Sequence, residues 1–382
     1  MRIRVLLLSS LLAAMGGSSF LPSRTPAAEP RSYSGTNSAG GFLTIILDPV
    51  AHTLTYTDLS DGNTGVVPFL ENADGIYQLN DPEGTLLEAY EVPNHGLLVE
   101  AANTGPDHNA LGLITAVQTS DVSVSAWAGH DYNYMLFRNN AGGIEVGSAR
   151  IDLRGNLSTT AYWPFGAVDQ TGRGFHRGGF SGDSLQQDGS GTFLRVPHHD
   201  GDFDYVFGTA NGIFAMDTSV GAILGFKKAA GENFDPSFAG TYKAFYYQKT
   251  GASTPVVNVE TGESSQTEGR TSMFDFETGT PGLGNATVLI SASGQVVIED
   301  AQSKPLVQAT LVPVADAAYL YGKAEFQDPC FGLFTFRTTT ASFQQDIFVS
   351  FLDRAVLFSS FKAGLPWRPG NTYDYFYGVG LK

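Results

Sequence analysis

One ordered set of short apolar blocks occurs three times along the chain, and this recurrence limits the fold more than any other feature of the sequence. Each copy opens with an apolar strand, a tight turn and a second strand: 41–48 with 54–56, 147–153 with 156–157, and 285–290 with 295–298. Each copy closes with a pair of short apolar strands: 96–99 with 110–114, 212–216 with 222–227, and 347–350 with 355–362. Aromatic strands lie between these blocks at 75–79, 191–195 and 318–321. The order is the same each time, at a spacing of roughly 105 to 135 residues, which is far longer than a propeller blade or a solenoid turn. Each copy is therefore large enough to be a small barrel or sandwich in itself.

The composition agrees with strands. The chain has 45 Gly, 27 Phe and 16 Tyr, and almost no window places apolar residues at helical spacing, so strands joined by tight turns are expected. Gly155 and Gly294 supply the positive φ that a hairpin turn demands, while the first copy is expected to use Asp48-Pro49 in a longer turn. The predicted fold is all-β, with consecutive antiparallel β-meander barrels or sandwiches in three diverged repeats. About six to eight strands per unit would allow up-and-down closure, which removes sheet edges.

The sequence predicts a signal peptide over 1–28, β units over 29–120, 121–230 and 231–364, and a C-terminal tail strand over 365–382 that pairs back onto an edge. The leader is read from Arg2 and Arg4 ahead of an apolar run, Val5 to Ala14, too short to span a bilayer, with small residues at Ala27-Ala28 for cleavage. Two polar, Gly-rich insertions, 166–182 and 251–269, are predicted surface loops.

A formal charge of −16 without any Lys/Arg cluster argues against a nucleic-acid partner. No later run approaches the roughly 18 apolar residues of a membrane helix, so no transmembrane helix is expected. Cys330 is the only cysteine, so no intrachain disulfide can form. Secretion, or a periplasmic or cell-surface location, follows from the leader.

Around Tyr132 to Lys227 the pattern is aromatic strand, Gly, apolar strand, Asp-x-x-Gly-Asn hairpin and aromatic strand. This resembles secreted bacterial lipocalin-like β-barrel repeat proteins. The resemblance covers the middle third of the chain and implies barrel units. The Gly-x-Trp opening of lipocalins is absent, Gly240-Thr241-Tyr242 being the nearest approach.

The richest ligand cluster is His198-His199-Asp200-Gly201-Asp202-Phe203-Asp204. Asp200, Asp202 and Asp204 stand at alternate positions like the opening of a calcium loop, so Ca²⁺ is the one cofactor the sequence suggests. The match stops there, because Tyr205 occupies the glycine position and no Glu closes the coordination. The adjacent histidines would point to opposite faces of a strand. His176 between Arg173 and Arg177 marks a locally basic loop that could hold an acidic ligand. His130-Asp131 and Asp107-His108 are neighbours without a third partner. No Gly-x-Ser-x-Gly elbow occurs, no glycine loop opens a helix, and sequence cannot choose a glycosidase pair among 38 acidic residues. Asn156 and Asn285 match the N-glycosylation acceptor pattern.

Export, repeats, missing catalytic motifs and abundant aromatics together predict a non-enzymatic exported protein in a ligand-binding or adhesion role. Its partner would be a small apolar ligand or a carbohydrate. The alternatives are a secreted polysaccharide hydrolase and an outer-membrane β-barrel.

Overall fold

The computed structural model describes residues 29–93, 95–104, 110–118, 124–138, 145–164, 167–168, 176–177, 181–187, 194–197, 203–209, 212–218, 221–252, 271–272, 279–314, 330–365 and 371–382. The expected leader, the aromatic block 318–321 and most of both insertions lie outside these residues.

The described chain is all-β: three large antiparallel sheets follow one another along it, and a small two-stranded sheet pairs Ala167–Val168 with Thr271–Ser272. In the first, eight strands from Arg31–Asn37 to Ala110–Val117 pair in chain order, and the first pairs with the last to close a barrel. The second sheet likewise pairs its first strand, His130–Arg138, with its last, Gly221–Lys227. In the third, Gly240–Ala252 pairs with Thr372–Leu381. That last strand lies between Gly240–Ala252 and Ala355–Gly364, so it completes the third sheet and is not an addition to its edge.

The far side of each sheet is joined by a segment that changes partner. In the first barrel Thr64–Glu71 pairs with the third strand as far as Pro68 and with the fifth from Phe69 onward. In the second, Ser181–Ser184 pairs with Asn156–Pro164, while Gln186–Gln187 pairs with Leu194–Pro197. In the third, Pro305–Thr310 pairs with Gln295–Asp300, and Val312–Pro313 with Leu333–Thr339. The exchange falls on one buried residue each time, Phe69, Leu185 or Leu311. Its backbone N–H donates to the carbonyl of the last residue of the opening hairpin turn: Phe69 to His52 at 2.9 Å, Leu185 to Gly155 at 2.9 Å, and Leu311 to Gly294 at 3.1 Å. All three acceptors have positive φ: 54°, 84° and 77°. The first copy's turn is therefore no longer than the others, and His52 takes the left-handed conformation that glycine supplies in the other two. The recurrence of one hydrogen bond at one turn in all three units is structural evidence that they are diverged copies.

Aromatic rings lie over glycines on the neighbouring strand. Tyr56 faces Gly65, Tyr134 faces Gly147, Tyr246 faces Gly284 and Phe358 faces Gly378. A β-carbon on Gly378 would stand 2.3 Å from the Phe358 ring and one on Gly147 2.8 Å from the Tyr134 ring. Glycine thus makes room for large rings on a strongly curved sheet, which accounts for the joint abundance of the two residue types.

Alternate residues along each strand serve two cores. Tyr33, Ile45, Leu54, Phe69, Tyr77 and Val99 fill the first barrel, and Tyr242, Val288, Ile298, Val349 and Phe358 fill the third. Within the first barrel, buried Glu91 accepts from Arg31 Nε and Nη2, both at 2.5 Å, from Tyr77 Oη at 3.1 Å and from Tyr33 Oη. All its lone pairs are used, as a buried carboxylate requires. The opposite faces pack barrel against barrel. Phe42 lies 5.1 Å from Tyr205 of the second barrel, and Phe137 lies 4.7 Å from Tyr247 and 5.6 Å from Tyr375 of the third. Leu98, Leu224 and Leu357, one from each barrel, meet at an apolar junction around a cavity of about 20 Å³. The three units form one cluster.

Candidate ligand-binding cleft

Three adjacent strands of the second barrel bring charged side chains to one rim. The register sets Ile151 opposite His130, Arg150 opposite Asp131, and Lys227 opposite Tyr132 on the other side. The strand ends therefore converge, and the N–H of Lys228 donates to the Asp131 carbonyl at 2.8 Å to continue the alignment. Gly129 (φ 80°) turns the chain into the first strand, its N–H bonded to the Ile151 carbonyl at 2.8 Å. The result is an open cleft of about 420 Å³ lined by Gly129, the 130–131 pair, the 150–153 turn and Lys227-Lys228. That volume suits a small organic ligand.

The two carboxylates in the cleft are already engaged. Asp131 accepts from Arg150 Nε at 2.7 Å and Nη2 at 2.8 Å, and this two-point contact holds its carboxyl below the usual range. Asp152 caps the hairpin turn, accepting from the N–H groups of Arg154 at 2.7 Å and Asn156 at 2.9 Å and from Asn156 Nδ2 at 2.7 Å. Those bonds, led by Asn156, likewise depress its pKa. Lys227 Nζ stands 3.3 Å from His130 Nε2. It can donate there only while that nitrogen carries no proton, so a cation rests on a neutral acceptor. Leu153, 86 % exposed at the tip of the capped turn, adds an apolar wall.

Of the sequence-predicted metal ligands only Asp204 lies among the described residues. Asp200 and Asp202, with His198 and His199, lie outside the described residues. Asp204 sits half-buried on Phe203–Gly208, opposite Val196. Among the described residues no group of three or more His, Cys, Asp and Glu side chains is placed to hold a metal ion. Arg173, Asp107 and His108 are outside the described residues, and His176 and Arg177 form a short pairing with Tyr162 and Ala161. Of the His-Asp neighbours singled out by sequence, His130-Asp131 lines the cleft. Arg150, Leu153, Lys227 and Lys228 were not legible as its companions, because only the strand register brings them together.

A second titratable group lies between the first and third barrels. Asn285 Nδ2 of the third barrel donates to Glu88 Oε2 at 2.7 Å. Glu100, the cross-strand partner of Glu88, is buried with no hydrogen-bond partner at Oε1. Burial first, and then the charge of Glu88, push its pKa up to about 7.

No protein family matches the chain, and no curated protein matches it either. Among solved structures, the chain is similar to transferrin binding protein B of Haemophilus parasuis Hp5, a vaccine antigen, in two mutant forms. For a double mutant the identity is 8 %, with 90 % of this chain and 66 % of that one covered at a TM-score of 0.20. For a single mutant the identity is 9 %, with 93 % and 76 % covered at a TM-score of 0.18. The chain thus spans just under two thirds of the first of these, and scores of this size do not establish a shared fold.

Proposed function

We propose that this chain is a non-enzymatic ligand-binding protein of the cell exterior, in which three packed barrels serve as scaffold and the rim cleft of the second barrel is the binding site. The observation that carries the reading is the state of the cleft. Its cationic groups converge from three strands, whereas Asp131 and Asp152 are both held ionised by existing hydrogen bonds. A glycosidase needs one carboxyl with a raised pKa to donate a proton, and neither of these fits that role. The outward apolar residues named above are buried against neighbouring barrels, which favours a water-soluble cluster over a lipid-facing one.

The test is to produce the chain without detergent and record thermal unfolding against separate panels of neutral glycans, apolar small molecules, small anions and Ca²⁺. A monodisperse protein whose melting temperature rises with one class supports the reading by linkage. Recovery only in detergent, or turnover of any glycan, would overturn it, and Asp131→Asn would then show whether the cleft is the catalytic site.

A further inference from the structure

We propose that the cleft takes a small ligand bearing an oxyanion, a carboxylate, sulfate or phosphate, on a compact apolar body. This deepens the binding role proposed above and rests on it.

The argument begins from Lys227. On a chain with 38 Asp and Glu against 22 Lys and Arg, an exposed lysine would be expected to meet a carboxylate. Its observed partner is instead the His130 imidazole. The carboxylates that could have served are occupied: Asp131 by the Arg150 guanidinium and Asp152 by its own turn. The turn also aims Asp152 at the backbone, so an incoming anion does not have to compete for Lys227 with that side chain. An oxyanion in the cleft would be a better acceptor for the Lys227 ammonium than a neutral ring, since charge-assisted bonds are about twice as strong as neutral ones. Lys228 and Arg150 stand on the same walls and add positive potential.

The remaining wall sets the body of the ligand. Leu153 is the most exposed of the large hydrophobic side chains among the described residues, at 86 %, and it stands on a turn fixed by the Asp152 cap and by Gly155 at φ 84°. An apolar group laid against it would leave water at little ordering cost to the protein. The cleft volume of about 420 Å³ matches a single ring or short chain plus its anionic head.

Because the molecule as a whole is acidic, it repels anions at long range. Recognition must then come from contacts inside the cleft, and loss of one of them should be felt strongly.

The full chain is titrated calorimetrically with benzoate, benzyl alcohol and inorganic phosphate, alongside Lys227→Met, Leu153→Ser and, as a distant control, Lys304→Met. Benzoate should bind about tenfold or more tightly than benzyl alcohol, the size expected for one charge-assisted hydrogen bond. Lys227→Met should lose about tenfold for benzoate and phosphate alike, Leu153→Ser should weaken benzoate but not phosphate, and Lys304→Met should change neither. Melting of the unliganded variants verifies that they fold, and all three substituted side chains are exposed. Equal affinity for benzoate and benzyl alcohol, silence of both anions, or an unaffected Lys227→Met would overturn the oxyanion assignment. If a neutral ligand from the earlier panel then binds and is weakened by Leu153→Ser, the binding role stands without the oxyanion; if every panel is silent, both fall.

Discussion

Glu88 and Glu100 lie side by side on paired strands of the first barrel, and the third barrel covers them. Gln78 and Asn285 both donate to Glu88, whereas Glu100 is only 7 % exposed and its Oε1 has no partner. Two like charges thus share a buried seam where only one is solvated by protein. The Tyr246 hydroxyl of the third barrel feels the same field, its pKa raised by burial and then by Asp300, Glu100 and Asp374.

This seam should make stability fall as pH rises. The folded-state pKa of Glu100, about 7, lies above its ordinary value of 4.5, so the native state holds the proton more tightly than the unfolded chain between those values. The penalty is absent below pH 4.5, grows through the window and is complete above pH 7, reaching about 3 kcal/mol at most. Glu100→Gln keeps the shape and removes the charge. Urea unfolding from pH 4.5 to 8 should show the wild type losing stability relative to this variant. A constant difference across that range would contradict the assignment.

The Arg31–Glu91 pair should behave as a buried ion pair whose partners cannot be removed one at a time. Arg31→Met leaves an ionised carboxylate inside the first barrel with two tyrosine hydroxyls alone, and should cost about 3–5 kcal/mol. The double change Arg31→Met with Glu91→Leu should recover much of that loss. Denaturant unfolding of the two variants decides between this and a simple sum of costs.

Gly378→Ala should destabilise by about 1–3 kcal/mol through overpacking, because its new methyl would meet the Phe358 ring at 2.3 Å and the Phe245 carbonyl at 2.9 Å. Gly282→Ala, where a β-carbon meets nothing within 4 Å, is the matched control. Equal melting temperatures for the two would show that the ring does not close over Gly378.

Cys330 should resist thiol reagents in the native state. It is fully buried, with Ser148 Oγ of the second barrel 3.0 Å from its sulfur and Asn133 donating to the adjacent Phe331 carbonyl at 2.8 Å. Labelling by a maleimide should therefore track opening of the interface between the second and third barrels. Rapid labelling of folded protein would mean that this interface is loose.

Much of the fold could be read from the residues, and the cleft hardly at all. Strand and turn chemistry is local, so Gly155 and Gly294 marked their hairpins and the aromatic strand at Tyr132 marked itself. His52 hid the equivalence of the first turn, because a non-glycine at positive φ carries no sequence signal. The final strand read as a tail because its partner, Gly240–Ala252, is far away in sequence. The cleft needs Arg150 and Lys227 on either side of one strand, a matter of register that no local pattern encodes. Glu100 looked like any surface acid until the third barrel covered it.

The central claim is that the three β units, a closed barrel and two sheets that pair their first strand with their last, pack as one body, which presents the cleft on a rigid rim. Small-angle scattering of the full chain in solution tests it most directly. A compact cluster of this length should have a radius of gyration of about 20 Å and a single-peaked distance distribution. A radius nearer 30 Å, with separate peaks for individual barrels, would contradict the packing around Leu98, Leu224 and Leu357 and the account built on it.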